Sequence, residues 1–222
     1  MQKFRTPAPI VAILDIPAGH VRFVATDRDD TTVEVRPVDA SRSRDVKVAQ
    51  QTAVDFHDGV LRIVTPAPKN QILTATGSVE VTVELPAGSR VEAKAAAGEL
   101  RGAGRLGDVT FEVSQGSIEL DEAAGARLTA LAGDIRVGRL RGDADISTQK
   151  GDIRVAEAHE GALTLRTQAG DVTVGAARGV SATLDAGTGH GRVHNALKNT
   201  GGAAALTVHA TTGHGDITAD SL

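Results

Sequence analysis

Cysteine, tryptophan and tyrosine are absent from the 222 residues, and phenylalanine occurs only at Phe4, Phe23, Phe56 and Phe111. Without cysteine the chain forms neither disulfides nor thiolate metal sites, and it carries no signal of redox compartment. Without tryptophan or tyrosine it lacks the rings on which sugar grooves usually stack their ligands, which argues against a carbohydrate enzyme. Long apolar runs are missing as well. The stretch from Ile10 to Ile16 is interrupted by Asp15 and followed by Pro17, too short for the apolar region of a signal peptide or for a membrane span of about 20 residues. A soluble, cytoplasmic chain without a membrane span is expected. Nor does one sign of charge dominate. The 24 basic and 28 acidic residues leave a formal charge of −4, with the basic residues scattered, so no nucleic-acid partner is expected.

What remains is a β-forming composition. The apolar fraction of 41% comes from valine, isoleucine, leucine and alanine, and 25 glycines recur between alternating apolar stretches, the pattern of short strands and many turns. In the first hundred residues Val21, Phe23 and Ala25 alternate, as do Val33 and Val35, and then Val79, Val81, Val83 and Leu85. A period of two buries one face of a strand. Two segments, Ile16-Pro17-Ala18-Gly19 and Leu85-Pro86-Ala87-Gly88, look like equivalent turns between alternating runs. Asp58-Gly59 suits the tight turn of a hairpin, and residues 66–77 read as a loop.

From Gly98 one phrase returns: Gly98-Glu-Leu100, Gly116-Ser-Ile118, Gly133-Asp134-Ile135-Arg-Val137, Gly151-Asp152-Ile153-Arg-Val155, Gly170-Asp171-Val172, Gly191-Arg-Val193 and Gly215-Asp216-Ile217. The spacings are 18, 17, 18, 19, 21 and 24 residues, and a second alternating strand lies within each interval. A unit this small cannot bury its own apolar face, so equivalent strands of successive repeats should stack in parallel. The expected fold is therefore all-β: a parallel β-solenoid, as a two-strand coil or a right-handed β-helix. Residues 98–222 form the solenoid, and residues 1–97 cap or continue it within one elongated domain. A left-handed hexapeptide helix fails, because Ile135 leads to Arg141 and Ser147 where apolar residues would be required. An antiparallel sandwich stays open, and it predicts pairing within repeats instead of between them.

The repeated Gly-Asp-Ile-x-Val phrase, the two Pro-Ala-Gly turns and the segment from Pro9-Ile10-Val11 to Val33-Glu34-Val35-Arg36-Pro37 together resemble a bacterial family of β-strand-repeat proteins. Its members are known as putative adhesins or domains of unknown function, and the chain looks similar to actinobacterial members. The resemblance spans nearly the whole chain. It implies a β-solenoid and supplies no shared catalytic residues.

Few residues invite a chemical role. Stacking would align Asp134, Asp152, Asp171 and Asp216 in a column with Ser117 and Arg192. Such a column could hold a divalent cation, but aspartate in a turn more commonly accepts backbone N–H bonds. The calcium-binding repeat Gly-Gly-x-Gly-x-Asp is absent. His190 and His214 each precede a repeat glycine in Gly-His-Gly, so they could be stacked neighbours. With His194 they would form a metal site only if the strand turned that residue toward them, and exposed turn histidines are the simpler reading. Glu119, Asp121 and Glu122 near one turn are the acid–base candidates of a carbohydrate-acting β-helix, more simply read as solvated surface. No nucleophile elbow, P-loop or His-Glu-x-x-His occurs. The expectation is a non-enzymatic scaffold or protein-interaction module without cofactor or resident metal. Its partner would be another protein, with self-association through the open end that residues 211–219 would form. The alternatives are a carbohydrate-binding or carbohydrate-acting β-helix protein and a metal-binding regulator using the C-terminal histidines.

Overall fold

The computed structural model describes residues 1–66, 77–199, 201 and 203–222. In chain order the strands are β1 (Gln2–Arg5), β2 (Val11–Thr26) and β3 (Asp30–Pro37), then helix α1 (Ser43–Gln51), then β4 (Ala53–His57), β5 (Val60–Val64) and β6 (Val79–Pro86). The series continues with β7 (Arg90–Gln115), β8 (Ile118–Ala132), β9 (Ile135–Leu140), β10 (Ala144–Lys150), β11 (Ile153–Ala158) and β12 (Gly161–Ala169). It ends with β13 (Val172–Ala176), β14 (Ala182–His190), β15 (Val193–Ala196), β16 (Leu206–His214) and β17 (Ile217–Ser221).

Pairing runs between repeats and is parallel, as the stacking argument requires. Ile153 faces Ile135 on one side and Val172 on the other, and Val155 likewise faces Val137 and Val174. This register excludes the antiparallel sandwich. Two walls result. The wall carrying the repeated phrase runs β6, the second half of β2, the middle of β7, the first half of β8, β9, β11, β13, β17 and β15. The opposite wall runs from β5 through the first halves of β2 and β7, the ends of β7 and β8, β10, β12 and β16 to β14. Within β7 the chain turns a full coil, so that Gly107 N–H reaches the Ser89 carbonyl at 2.9 Å and Lys94 pairs with Glu112 at 2.8 Å. β2, β7 and β8 bend around a corner, which makes the walls continuous; β7 passes position 98 without a break.

The core lies between the walls and consists of the alternating residues that the periodicity marks: Leu128, Ala130, Ile135, Val137, Ile146, Ile153, Val155, Leu163 and Leu165 are all buried. Phe23 and Phe111, the two largest fully buried side chains, touch at a centroid distance of 5.9 Å. One end is closed by antiparallel strands, with β4 on β5, and β3 on β6 followed by β1. Phe4 of β1 and Phe56 of β4 meet there at 5.2 Å. The Asp58-Gly59 hairpin forms as its residues require, with φ of 48° and 76°.

Several expectations change. The two Pro-Ala-Gly segments are not equivalent: Gly19 lies inside β2 at a wall-to-wall corner, whereas Gly88 closes a turn between β6 and β7 in which Ser89 N–H reaches the Pro86 carbonyl. Helix α1 has no counterpart in the sequence reading: it is a short, mostly polar segment whose hydrophobic residues are Val46, Val48 and Ala49, and Val48 and Ala49 pack against the core. It is fixed from outside, since the buried Asp45 carboxylate accepts N–H bonds from Asp39 and Ser78. Most of the loop read at 66–77 falls on residues 67–76, outside the described residues.

The largest difference is the order of the coils. β16 and β17 do not form the end of the stack. They lie between β12–β13 and β14–β15, so the open end consists of residues 182–196 and not 211–219. The N-terminal region repeats the device: β2 is flanked by β7 on one side and by β5 and β6 on the other.

Candidate functional site

The residues singled out by the repeat gather at one corner, where each coil crosses from one wall to the other. Gly98, Gly116, Gly133, Gly151, Gly170, Gly215 and Gly191 stand in a column with φ between +132° and +155°. A Cβ on any of them would lie 1.7–2.2 Å from a carbonyl oxygen of the adjoining coil. Only glycine lets the coils approach this closely.

The aspartates complete the corner. Asp134 Oδ1 accepts the Asp152 N–H at 3.0 Å, Asp152 Oδ1 that of Asp171 at 2.8 Å, Asp171 Oδ1 that of Asp216 at 2.7 Å, and Asp216 Oδ1 that of Arg192 at 2.8 Å. Each carboxylate thus caps the amide of the next coil. Backbone and guanidinium hydrogen bonds from Arg192 hold the Asp216 carboxyl below its ordinary pKa. The ladder is compatible with the inverted coil order. Arg192 has no carboxylate to offer a following amide, and the coil that carries it stands last in the column, where no amide follows. In chain order, the Asp216 amide would face Arg192 and lose its acceptor.

A parallel ladder escaped the sequence reading. Thr148, Thr167, Thr212 and Thr188 donate their hydroxyls to the carbonyls of Gly133, Gly151, Gly170 and Gly215, at 3.2, 3.0, 2.9 and 2.9 Å. The signal was present as Thr-x-x-Gly in the last four coils, where earlier coils have Val113 and Ala130. The hydroxyl lets a buried position face a backbone carbonyl left by the corner.

His190 and His214 are stacked neighbours, with centroids 4.7 Å apart and planes 5° from parallel. Parallel planes keep the ring lone pairs from converging on one point. His194 lies on the other wall, 3.7 Å from Asp220, and His209 lies 3.3 Å from Asp185. Among the described residues no three or more His, Asp or Glu side chains assemble as a metal-ligand group.

The acidic turn divides. Glu119 and Asp121 line a shallow depression of about 220 Å³ on the outer face of the phrase wall, together with Arg136, Gly138, Arg154 and Ala156. Gly138 and Ala156 leave the room between flanking charges. Both carboxylates also serve neighbouring coils, Glu119 accepting from Arg101 at 2.9 Å and Asp121 from the Gly104 N–H at 3.1 Å. Glu122 turns elsewhere, accepting from Arg141 at 2.6 Å and Arg139 at 3.2 Å. Burial alone would raise its pKa, but these two guanidiniums outweigh it and hold the carboxyl below its ordinary value. Arg139 bridges on to Glu157 at 3.1 Å, so the three acids do not converge as an acid–base pair.

A family model described as Toastrack DUF4097 matches residues 14–220. A solved structure of a putative adhesin from Bacteroides fragilis is 14% identical, with a TM-score of 0.56 over 98% of this chain and 95% of that one. A putative cell adhesion protein from Clostridium sporogenes is 15% identical, with a TM-score of 0.35 over 100% and 98%. No curated protein matches the chain. The Bacteroides likeness is one of fold; membership rests on the family model, whose match takes in both ladders. The chain belongs to the DUF4097 Toastrack family of β-strand proteins.

Proposed function

We propose that this protein is a non-enzymatic scaffold or interaction module that presents the outer face of its phrase wall to another protein. The observation that carries this reading is the ordered charge on that face. Arg101, Glu119, Arg136 and Arg154 occupy equivalent positions on successive rungs, about 4.8 Å apart, above the depression floored by Gly138 and Ala156. Stacked coils suit broad contacts of this kind. The description of the Bacteroides protein as a putative adhesin supports a role in the same class. The strong handedness preference of parallel crossovers supports a right-handed winding.

The test is capture of the tagged chain from the cells that make it, with fractionation of those cells, comparing wild type with the double variant Arg136→Glu/Arg154→Glu. A protein recovered reproducibly with wild type and lost with the variant is the expected result. Equal recovery with both chains would move the interface off this wall. Oligosaccharide turnover by the wild-type chain, abolished by Glu119→Gln, would replace the reading with an enzymatic one.

A further inference from the structure

The coil formed by residues 206–221 stands in a slot that earlier parts of the chain build around it. β16 pairs with β12 and β14, and β17 with β13 and β15, over nearly their whole lengths. It enters the slot from β15 through the linker of residues 197–205. We propose that this coil is exchangeable between copies: during folding, the slot between β12–β13 and β14–β15 of one chain accepts residues 206–221 of a second copy.

The recognition chemistry belongs to the coil, whichever chain supplies it. Asp171 Oδ1 takes the Asp216 N–H at 2.7 Å, Gly170 O takes the Thr212 hydroxyl at 2.9 Å, and Asp216 in turn takes the Arg192 N–H at 2.8 Å. Leu206, Val208, Ala210, Ile217 and Ala219 are fully buried between the neighbouring rungs. A second copy brings an identical set, so the exchanged form loses none of these interactions. Which chain fills the slot is then decided by concentration and linker reach. The linker crosses from β15 on the phrase wall to β16 on the opposite wall. Lys198 O accepts the Ala182 N–H at 3.1 Å and Ala205 N–H reaches the Ser181 carbonyl at 2.9 Å, and an exchanged coil re-forms the second of these bonds with the Ser181 of the chain whose slot it fills.

Selectivity follows from the two ladders. An occupant needs a carboxylate one residue after the corner glycine, to accept the Arg192 amide, and a hydroxyl three residues before it, to reach Gly170 O. The coil of residues 182–196 has the hydroxyl, at Thr188, but Arg192 replaces the carboxylate, so in this place it would offer the following amide no acceptor. Once folded, the occupant is bonded on both sides, and release requires two ladders to open together. Partner choice therefore belongs to the folding reaction. The inference is independent of the role proposed for the outer wall, and either can fail alone.

The chain has no cysteine, so introduced thiols report without background. Thr173 and Thr218 are register partners between β13 and β17. The double variant Thr173→Cys/Thr218→Cys, treated with a short bis-maleimide at low concentration, should give an internal cross-link and so report a filled slot. The single variants Thr173→Cys and Thr218→Cys are then unfolded together in urea, refolded as a mixture and cross-linked. A covalent dimer containing one of each, rising in proportion to chain concentration during refolding and absent when the two are mixed after folding, is the expected result. An internal cross-link in the double variant with no mixed dimer at any refolding concentration would overturn the proposal, as would mixed dimer formed equally by chains already folded.

Discussion

Gly151→Ala isolates what the corner column does for stability. Gly151 has φ of +141°, and a Cβ there would lie 2.2 Å from the Gly133 carbonyl oxygen. A non-glycine residue in such a backbone region costs of order 1–3 kcal/mol. Relieving the clash separates two coils at the point where Gly133 N–H meets the Lys150 carbonyl at 2.8 Å, Thr148 meets the Gly133 carbonyl at 3.2 Å, and the Asp152 amide meets Asp134 at 3.0 Å. At about 1 kcal/mol for each bond loosened, the total loss is about 4–6 kcal/mol, large for one methyl group. For a chain of this size, with about 2–4 °C lost per kcal/mol, the melting temperature should fall by roughly 10–20 °C. Gly59→Ala is the control. It shares a positive φ, of +76°, but has nothing within 4 Å of the added Cβ, so it should cost only the backbone term of about 1–2 kcal/mol. Thermal unfolding followed by circular dichroism compares the two. Equal losses would mean that coil approach contributes nothing and that the reasoning about the column is wrong.

Thr167→Val keeps the shape of a buried side chain while removing its 3.0 Å bond to the Gly151 carbonyl, and it should lower stability by about 1 kcal/mol in urea titrations; an unchanged midpoint would reduce the threonine ladder to ornament. Asp30 accepts hydrogen bonds from Arg28 and Lys3 that lower its pKa to about 2, below the unfolded value of about 4. Its contribution is therefore complete above pH 4 and lost as pH falls from about 4 through about 2. Urea midpoints of wild type and Asp30→Asn should differ at pH 7 and converge by pH 2, and a constant gap would contradict the assignment. In native-state hydrogen exchange, amides of residues 206–221 should be protected more strongly than those of 182–196, although they lie nearer the C-terminus; the reverse order would argue against the inverted coils.

The parallel stack is legible in the sequence because its signal is periodic. Alternation at Ile135 and Val137 or Ile153 and Val155 fixes which face is buried, and the returning glycine fixes which strands are equivalent. The stacked pair His190 and His214 followed from the same equivalence. Coil order is not legible from spacing, because every coil offers nearly the same backbone ladder; Arg192, like Ser117, stands where four coils have an aspartate. Seen as a ladder terminator, that arginine was a readable signal; seen as an interruption, it was not. The Thr-x-x-Gly column was overlooked for a related reason. Threonine at an inward position looks like a polar defect until the Gly133 or Gly151 carbonyl opposite it is known. Helix α1 lay beyond local reading, since the contacts that hold Asp45 come from Asp39 and Ser78.

The inverted coils also determine how the molecule bears force. In a stack wound strictly in chain order, a pull on the last residue peels the final coil away from a single neighbour, one hydrogen bond after another. Here a pull on Leu222 enters β17, which is bonded to β13 along one edge and to β15 along the other. The load is shared by two ladders that must slip together. β2 is held in the same manner near the N-terminus, between β7 and the pair β5 and β6. β1 precedes β2 and pairs with β3 alone, so a pull on the N-terminus opens one antiparallel ladder before β2 takes the load, whereas a pull on Leu222 meets two ladders at once.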